Sequence, residues 1–193
     1  GKLLNQWRGG PADDLILGNG RMVSRWPARG GPVIRDNIVY FAAGIWQSEG
    51  IYLTAIDAET GKVVWQNDEA GKIYMPQPHG GAMANSGISA QGHLVATENE
   101  LIVPTGRAVP AGFARRSGKF LYYHLQANGH IGGTQTVATK DTFYNGGTVF
   151  RSNTGALIAK LGLGSLAVTP NATFFGTKKD IRAVKLVEKT APD

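Results

Sequence analysis

The sequence contains no cysteine, which excludes disulfide bonds and thiolate metal sites in all 193 residues. It also has no apolar run near the ~18 residues that a membrane-spanning helix requires. Charged residues make up only 18% of the chain, and the net charge is +6. The basic residues are scattered, and the only adjacent pairs are Arg115-Arg116 and Lys178-Lys179. This scatter argues against a nucleic-acid groove, where basic and aromatic side chains alternate.

Glycine, in contrast, is abundant. The chain has 27 glycines, about twice the ordinary usage, and they follow no triplet period that would indicate collagen. Hydrophobic residues amount to 42%, enough for a core. Many glycines between short apolar stretches indicate many tight turns, and we therefore predict an all-β fold.

One short pattern recurs along the chain: a serine or threonine, a glycine, and then three positions that are mostly apolar. It reads TGKVVW at 60–65, SGKFLY at 117–122 and TGALIA at 154–159. The glycine can adopt a positive φ, so each copy predicts a tight turn that leads into a strand.

A second pattern consists of a polar dipeptide between two apolar stretches, which predicts a β-hairpin at each occurrence. The dipeptides are Asp36-Asn37, Glu98-Asn99, Lys140-Asp141 and Pro170-Asn171. Glycines precede the first strand of each unit, which indicates a crowded place where several units converge. These glycines are Gly30, Gly31, Gly87, Gly132, Gly133 and Gly164.

Together these patterns describe a four-stranded antiparallel meander, the blade of a β-propeller. We predict blade units at roughly 24–66, 87–125, 132–160 and 164–187, in a single propeller domain or partial propeller. Residues 1–7 are predicted to be the outer strand of a blade, because GKLLNQ at the start is similar to the later GKVVWQ.

The segment AIDAETGKVVW resembles the pyrroloquinoline-quinone-type propeller repeat, whose consensus is close to A-x-D-x-x-T-G-x-x-x-W. Ala55, Asp57, Thr60, Gly61 and Trp65 match every specified position. The resemblance implies a quinoprotein-like β-propeller in which the tryptophan packs between blades and the Thr-Gly turn docks against it. We therefore expect the last four of these residues to form a structural repeat motif.

The resemblance also bears on ring size, because this family mostly builds larger rings. Two arrangements are open. Residues 1–6 pair with 180–186 and close a four-bladed ring, or the chain is part of a seven- or eight-bladed ring. We favour the partial ring, because the chain starts inside a blade motif.

Quinoprotein alcohol dehydrogenases of this type use an adjacent-cysteine ring and a calcium ion held by Glu, Asn and Asp. This sequence has no cysteine, and its acidic residues lie mostly at turns, as Asp36, Asp57 and Asp141 do. We therefore expect no cofactor and no metal site, with pyrroloquinoline quinone and calcium as the alternative.

Four residues are candidates for ligand binding. His79 and His130 each precede a Gly-Gly pair at like positions, and Arg29 precedes the corresponding glycines of the first unit. Loops there open towards the central mouth, where propellers bind ligands. Arg107 lies in PTGRAVPAG, a loop stiffened by glycine and proline. The alternative is that all four are solvated loop residues.

Two classes of function remain open. We favour a non-catalytic binding or scaffolding propeller in a larger bacterial protein, whose partner is another protein or the remaining blades of a larger chain. This preference rests on the absence of a recognisable catalytic constellation in the sequence. The alternative is an enzyme domain, either a quinone-dependent oxidoreductase or a sugar-active propeller. A glycan or small molecule is the alternative ligand, and the resemblance implies an extracytoplasmic location.

Overall fold

A computed structural model describes residues 1–78, 80–106, 108–125, 127, 132–162 and 164–185. These residues form short β-strands, together with two 3₁₀ turns at Gln47–Glu49 and Ala70–Lys72. Among them, no helix is long and apolar enough to span a membrane. Alternating short strands and glycine turns therefore produce the all-β fold that the composition predicts, and this prediction is confirmed.

The strands group into antiparallel sheets whose members pair in chain order. The first blade consists of β3 (Ala28–Arg35), β4 (Ile38–Ala43), β5 (Tyr52–Asp57) and β6 (Val63–Asn67). The second blade consists of β9 (Val95–Ala96), β10 (Glu100–Val103), β11 (Val109–Ala114) and β12 (Phe120–His124). The third blade consists of β13 (Thr136–Ala138), β14 (Thr142–Asn145), β15 (Thr148–Arg151) and β16 (Leu157–Lys160). The fourth blade, as far as it is described, consists of β17 (Ser165–Val168), β18 (Thr173–Gly176) and β19 (Ile181–Val184).

Two additional hairpins precede the first and second blades. They are formed by β1 (Leu15–Gly18) with β2 (Arg21–Ser24) and by β7 (Tyr74–Pro76) with β8 (Met83–Asn85). Residues 1–8 contain no strand, and no described strand pairs with them. The segment predicted as an outer strand therefore contacts the first blade through side chains rather than through a ladder.

The first strands of the blades lie side by side on the inner side of the molecule. β3 contacts β9, β9 contacts β13, and β13 contacts β17. The Gly31 amide donates to the Gly92 carbonyl (3.3 Å), and a Cβ on Gly30 would collide with that same carbonyl. Because these glycines lack a Cβ, the inner strands of neighbouring blades can approach one another closely. For the second blade the sequence predicted Gly87 at this point of close approach. The structure has Gly92 there instead, and Gly87 packs against Gly71.

Each blade begins with one of the predicted hairpin turns. Asp36 and Asn37 have φ of 51° and 61°, the positive values that a tight two-residue hairpin turn requires. The other three turns begin at a threonine, whose backbone N–H donates across the turn at 2.8–2.9 Å. These threonines are Thr97, Thr139 and Thr169. Local turn chemistry therefore sets where each hairpin reverses.

The hydrophobic core lies between neighbouring blades, as expected when each sheet packs face to face with the next. One cluster joins the first and second blades around the fully buried Tyr40, Leu53, Leu101 and Phe113. A second cluster joins the second and third blades. Its buried members are Ile102, Val109, Tyr122, Phe143 and Phe150. Each blade is thus held mainly by its neighbours.

Candidate functional sites

The Asp-x-x-Thr-Gly turn between β5 and β6 is closed by the Asp57 carboxylate. Its Oδ1 accepts from the Thr60 N–H at 2.7 Å, the Thr60 hydroxyl at 2.8 Å and the Glu59 N–H at 3.1 Å. These bonds, chiefly the one from the Thr60 backbone, lower the pKa of Asp57 below its ordinary value. Gly61 follows with φ +72°, and its N–H donates to the Asp57 carbonyl at 2.9 Å. The carboxylate therefore acts within its own turn.

The tryptophan that ends this motif reaches the next blade. The Trp65 indole N–H donates to the Arg115 carbonyl at 2.9 Å, across the first blade interface. The indole also lies against Gly118, where a Cβ would collide with the ring. Gly118 has φ +68°, so both its backbone and its surroundings favour glycine.

The same contact recurs on both sides of this interface. The Tyr122 hydroxyl of the second blade donates to the Ser152 carbonyl of the third blade at 2.8 Å, and its ring lies against Gly155. Before the first blade, the Trp7 indole N–H donates to the Gly61 carbonyl at 2.8 Å. An aromatic residue at the end of one unit thus docks on the glycine turn of the next.

Arg115 adds a buried charge at the interface of the first and second blades. Its side chain is 3% exposed and donates to the Asp36 carboxylate at 2.5 Å, the Tyr40 hydroxyl at 3.1 Å and the Glu98 carbonyl at 3.0 Å. Because each of the three guanidinium nitrogens has an acceptor, the buried charge is compensated. The Tyr122 hydroxyl at the next interface is also buried. This burial, with the Glu100 carboxylate nearby, raises the pKa of Tyr122 above its ordinary value.

Of the four predicted ligand residues, the structure places Arg29, which is half-buried on β3 opposite Ala42. His79, Arg107 and His130 lie outside the described residues. Arg29 therefore lies beside the converging inner strands, and the other three predictions remain predictions. Across the described part of the chain, no three His, Asp or Glu side chains are grouped so as to hold a metal ion.

Besides a region of about 410 Å³ beside Trp65 and Arg115 at the first blade interface, the described residues line further concave regions around the blades. A cavity of about 290 Å³ lies at the glycine-rich start of the third and fourth blades, lined by 132–135, 146–147 and Gly164. A larger one of about 690 Å³ lies between the first turns of the same blades. The third, about 350 Å³, is lined by Trp46, Gln47, Ser48, Lys72 and Asn85.

Sequence reasoning missed this third region, although one signal was present. Trp46 is a tryptophan that lies outside the position that the repeat assigns to its aromatic residue. It occupies the loop between β4 and β5, and 59% of its surface is exposed.

The sequence matches no family model, and no curated protein is similar to it at a significant level. Among solved structures, the chain is similar to BamB from Moraxella catarrhalis (TM-score 0.54, 15% identity), covering 82% of this chain and 47% of BamB. It is also similar to the computationally designed Ika4 protein (TM-score 0.51, 15% identity), covering 81% of this chain and 90% of Ika4. The quinohemoprotein alcohol dehydrogenase from Comamonas testosteroni gives a TM-score of 0.43 at 19% identity, over 68% of this chain and 20% of that enzyme.

At these identities the comparisons show the fold alone. The fold is a β-propeller, and the fold that the repeat resemblance implies is confirmed. The score for the dehydrogenase is too low to carry an argument about cofactor or reaction. The chain spans about half the length of BamB.

Proposed function

We propose that this chain is a non-catalytic propeller unit that binds or scaffolds other protein, and that its first blade packs against a further blade. The observation that supports the proposal is the contact of Trp7. Its indole N–H donates to Gly61 of the first blade, as Trp65 of the first blade donates to the second blade. This parallel supports the proposal that residues 1–7 belong to the edge of a preceding blade.

The far face of the first blade supports the same reading. Gly9 lies against Phe41 and Ala43, on the face of the sheet that points away from the second blade. Ile34 shares this face, because it pairs with Val39, and 67% of its surface is exposed. Residues 7–10 therefore cover only part of an apolar sheet face.

Further aliphatic side chains are exposed on the segments that precede this blade. They are Leu3, Leu4, Leu15, Leu17 and Met22, all more than half exposed. Exposed apolar patches usually mark an interaction surface. The occupant we propose is another propeller blade, from further chain or from a partner protein.

The use of buried ionisable groups favours packing over catalysis. Arg115 bonds to the neighbouring blade, and the Glu100 carboxylate accepts from the Thr97 hydroxyl at 2.7 Å within its own turn. We also propose an extracytoplasmic location, which rests only on the resemblance of the repeat.

Sedimentation velocity over a range of concentrations tests the proposal. We expect the 193-residue chain to self-associate, because the uncovered face of its first blade is apolar. Leu3→Asp with Leu4→Asp should weaken this association, whereas Leu121→Asp, on the exposed outer strand of the second blade, should not. A monomer at every concentration, with protected amide hydrogens at residues 2–6, would contradict the proposal.

The catalytic alternative has its own test. The purified chain is titrated with pyrroloquinoline quinone and calcium while visible absorbance and dye-linked alcohol oxidation are followed. We expect no saturable change. Saturable binding accompanied by oxidation would overturn the non-catalytic assignment without affecting the packing argument.

A further inference from the structure

A groove on the surface of the first blade combines an exposed tryptophan with several polar side chains. The loop between β4 and β5 forms one wall, and the segment that enters and leaves the β7–β8 hairpin forms the other. The groove is about 350 Å³, within the range of roughly 300–1,000 Å³ of small-molecule sites.

The two walls are braced against each other. The 3₁₀ turns Gln47–Glu49 and Ala70–Lys72 are in contact. The Gln47 amide donates to the Gly87 carbonyl at 3.3 Å, and the Ser89 hydroxyl donates to the Ile45 carbonyl at 2.9 Å. The groove is therefore a preformed feature of the fold, which lowers the ordering cost of binding.

Trp46 differs from the other three tryptophans. The indole N–H groups of Trp7, Trp26 and Trp65 each donate to a backbone carbonyl. Within the part of the chain that the structure describes, the Trp46 indole has no such bond, and its residue is 59% exposed. A large apolar ring and a free donor are thus left in contact with solvent.

The hairpin extends this surface. Tyr74 lies directly opposite Asn85 in the β7–β8 register, so the two side chains share one face. Tyr74 is 63% exposed, and Met83, on the same face, is 46% exposed. Asn85 lines the groove, so the aromatic surface of the hairpin continues from its edge.

We infer that this groove binds an oligosaccharide, with a carboxylate-bearing sugar unit beside Lys72. A pyranose ring has an apolar C–H face and a rim of hydroxyls. Trp46 offers a flat apolar surface for the C–H face, while Ser48, Asn85 and the side-chain amide oxygen of Gln47 offer hydrogen-bond partners for the hydroxyls. The Lys72 ammonium is the positive charge in the lining, which favours an acidic sugar over a neutral one.

The inference does not depend on the proposed packing of a further blade, because every lining residue belongs to one chain. It also differs from the ligand site that the sequence predicts at the central mouth, to which Arg29 was assigned. A protein segment is the competing occupant, and absence of binding to both saccharides would favour it.

Binding is measured by calorimetry with tri-galacturonic acid as the acidic probe and cellotriose as the neutral probe. We expect saturable binding, tighter for the acidic probe and weakened by salt. Trp46→Ala should weaken binding of both probes about tenfold or more, as removal of an aromatic anchor does. Lys72→Met should remove only the preference for the acidic probe.

Matched controls separate binding from folding. Phe174→Ala removes an exposed aromatic side chain of the fourth blade, far from the groove in sequence, and should leave both affinities unchanged. Trp46→Phe keeps an aromatic face and should restore most of the affinity, and thermal unfolding should show that each variant is folded. Absence of saturable binding to either probe would overturn the inference, as would binding that survives Trp46→Ala.

Discussion

Replacing Gly118 with alanine should destabilise the protein at the interface of the first and second blades. The glycine has φ +68°, where an L-residue costs roughly 1–2 kcal/mol. The new Cβ would also approach Trp65, with Cδ2 of the indole at 2.7 Å, well inside the ~3.5–4.0 Å of a normal carbon contact. Moving the ring away strains the core by about 1–3 kcal/mol and threatens the bond to Arg115.

The expected total loss in the free energy of unfolding is about 2–5 kcal/mol. Gly20→Ala is the matched control, because Gly20 has φ +78° and no atom within 4 Å of the new Cβ. It should cost only the backbone part, roughly 1–2 kcal/mol. Urea denaturation at 25 °C, followed by circular dichroism, gives both values.

A double-mutant cycle assigns the difference to the indole. In the background of Trp65→Ala the collision is absent, so Gly118→Ala should then cost no more than Gly20→Ala does. If Gly118→Ala and Gly20→Ala are equally destabilising in the wild-type background, the docking of the turn on Trp65 contributes nothing and the reasoning is wrong.

Three further predictions concern the two blade interfaces and the turn at Asp57. Arg115→Met should lower the free energy of unfolding by about 1–3 kcal/mol, while Arg116→Met, on the exposed neighbour, should change it by less than about 0.5 kcal/mol in urea titrations. Tyr122→Phe should cost about 0.5–1.5 kcal/mol in the same assay, because a buried hydrogen bond is lost. Asp57 has a lowered pKa when folded, so its stabilising effect is present above the unfolded pKa and is lost as the pH falls through the folded pKa. The loss of unfolding free energy caused by Asp57→Ala should therefore become smaller as the pH falls. If this loss is the same at every pH, the ionised Asp57 carboxylate does not stabilise the turn.

The hairpins could be predicted from the sequence because their causes are local. Asp36 and Asn37 tolerate positive φ, and Thr97 closes its turn with a bond to the residue three positions later. The glycine at which the second blade meets the first blade could not be predicted from local sequence. Gly87 and Gly92 are equivalent in local terms, and only the packing of β3 against β9 decides which of them meets Gly30.

The groove at Trp46 was beyond prediction for the same reason. Lys72 and Asn85 reach it from another part of the chain, and the contact depends on how the second blade's entry segment packs on the first blade. For residues 1–7, in contrast, the sequence predicted a strand that the structure does not contain. Their similarity to β6 is a property of sequence, whereas a strand also requires a partner, and β6 has β5 beside it.

A repeat protein provides its own standard for deciding which aromatic residues are structural. Trp7, Trp65 and Tyr122 each donate a hydrogen bond to the turn of the following unit, and an aromatic that does so is explained by packing. Trp46 has the same indole, but among the described residues it neither occupies the repeat position nor donates such a hydrogen bond. Its exposed surface is unfavourable in water, and nothing in the blade geometry requires it. Departures from an otherwise consistent pattern concentrate at functional sites, so the groove at Trp46 is the part of this surface on which a search for ligands should begin.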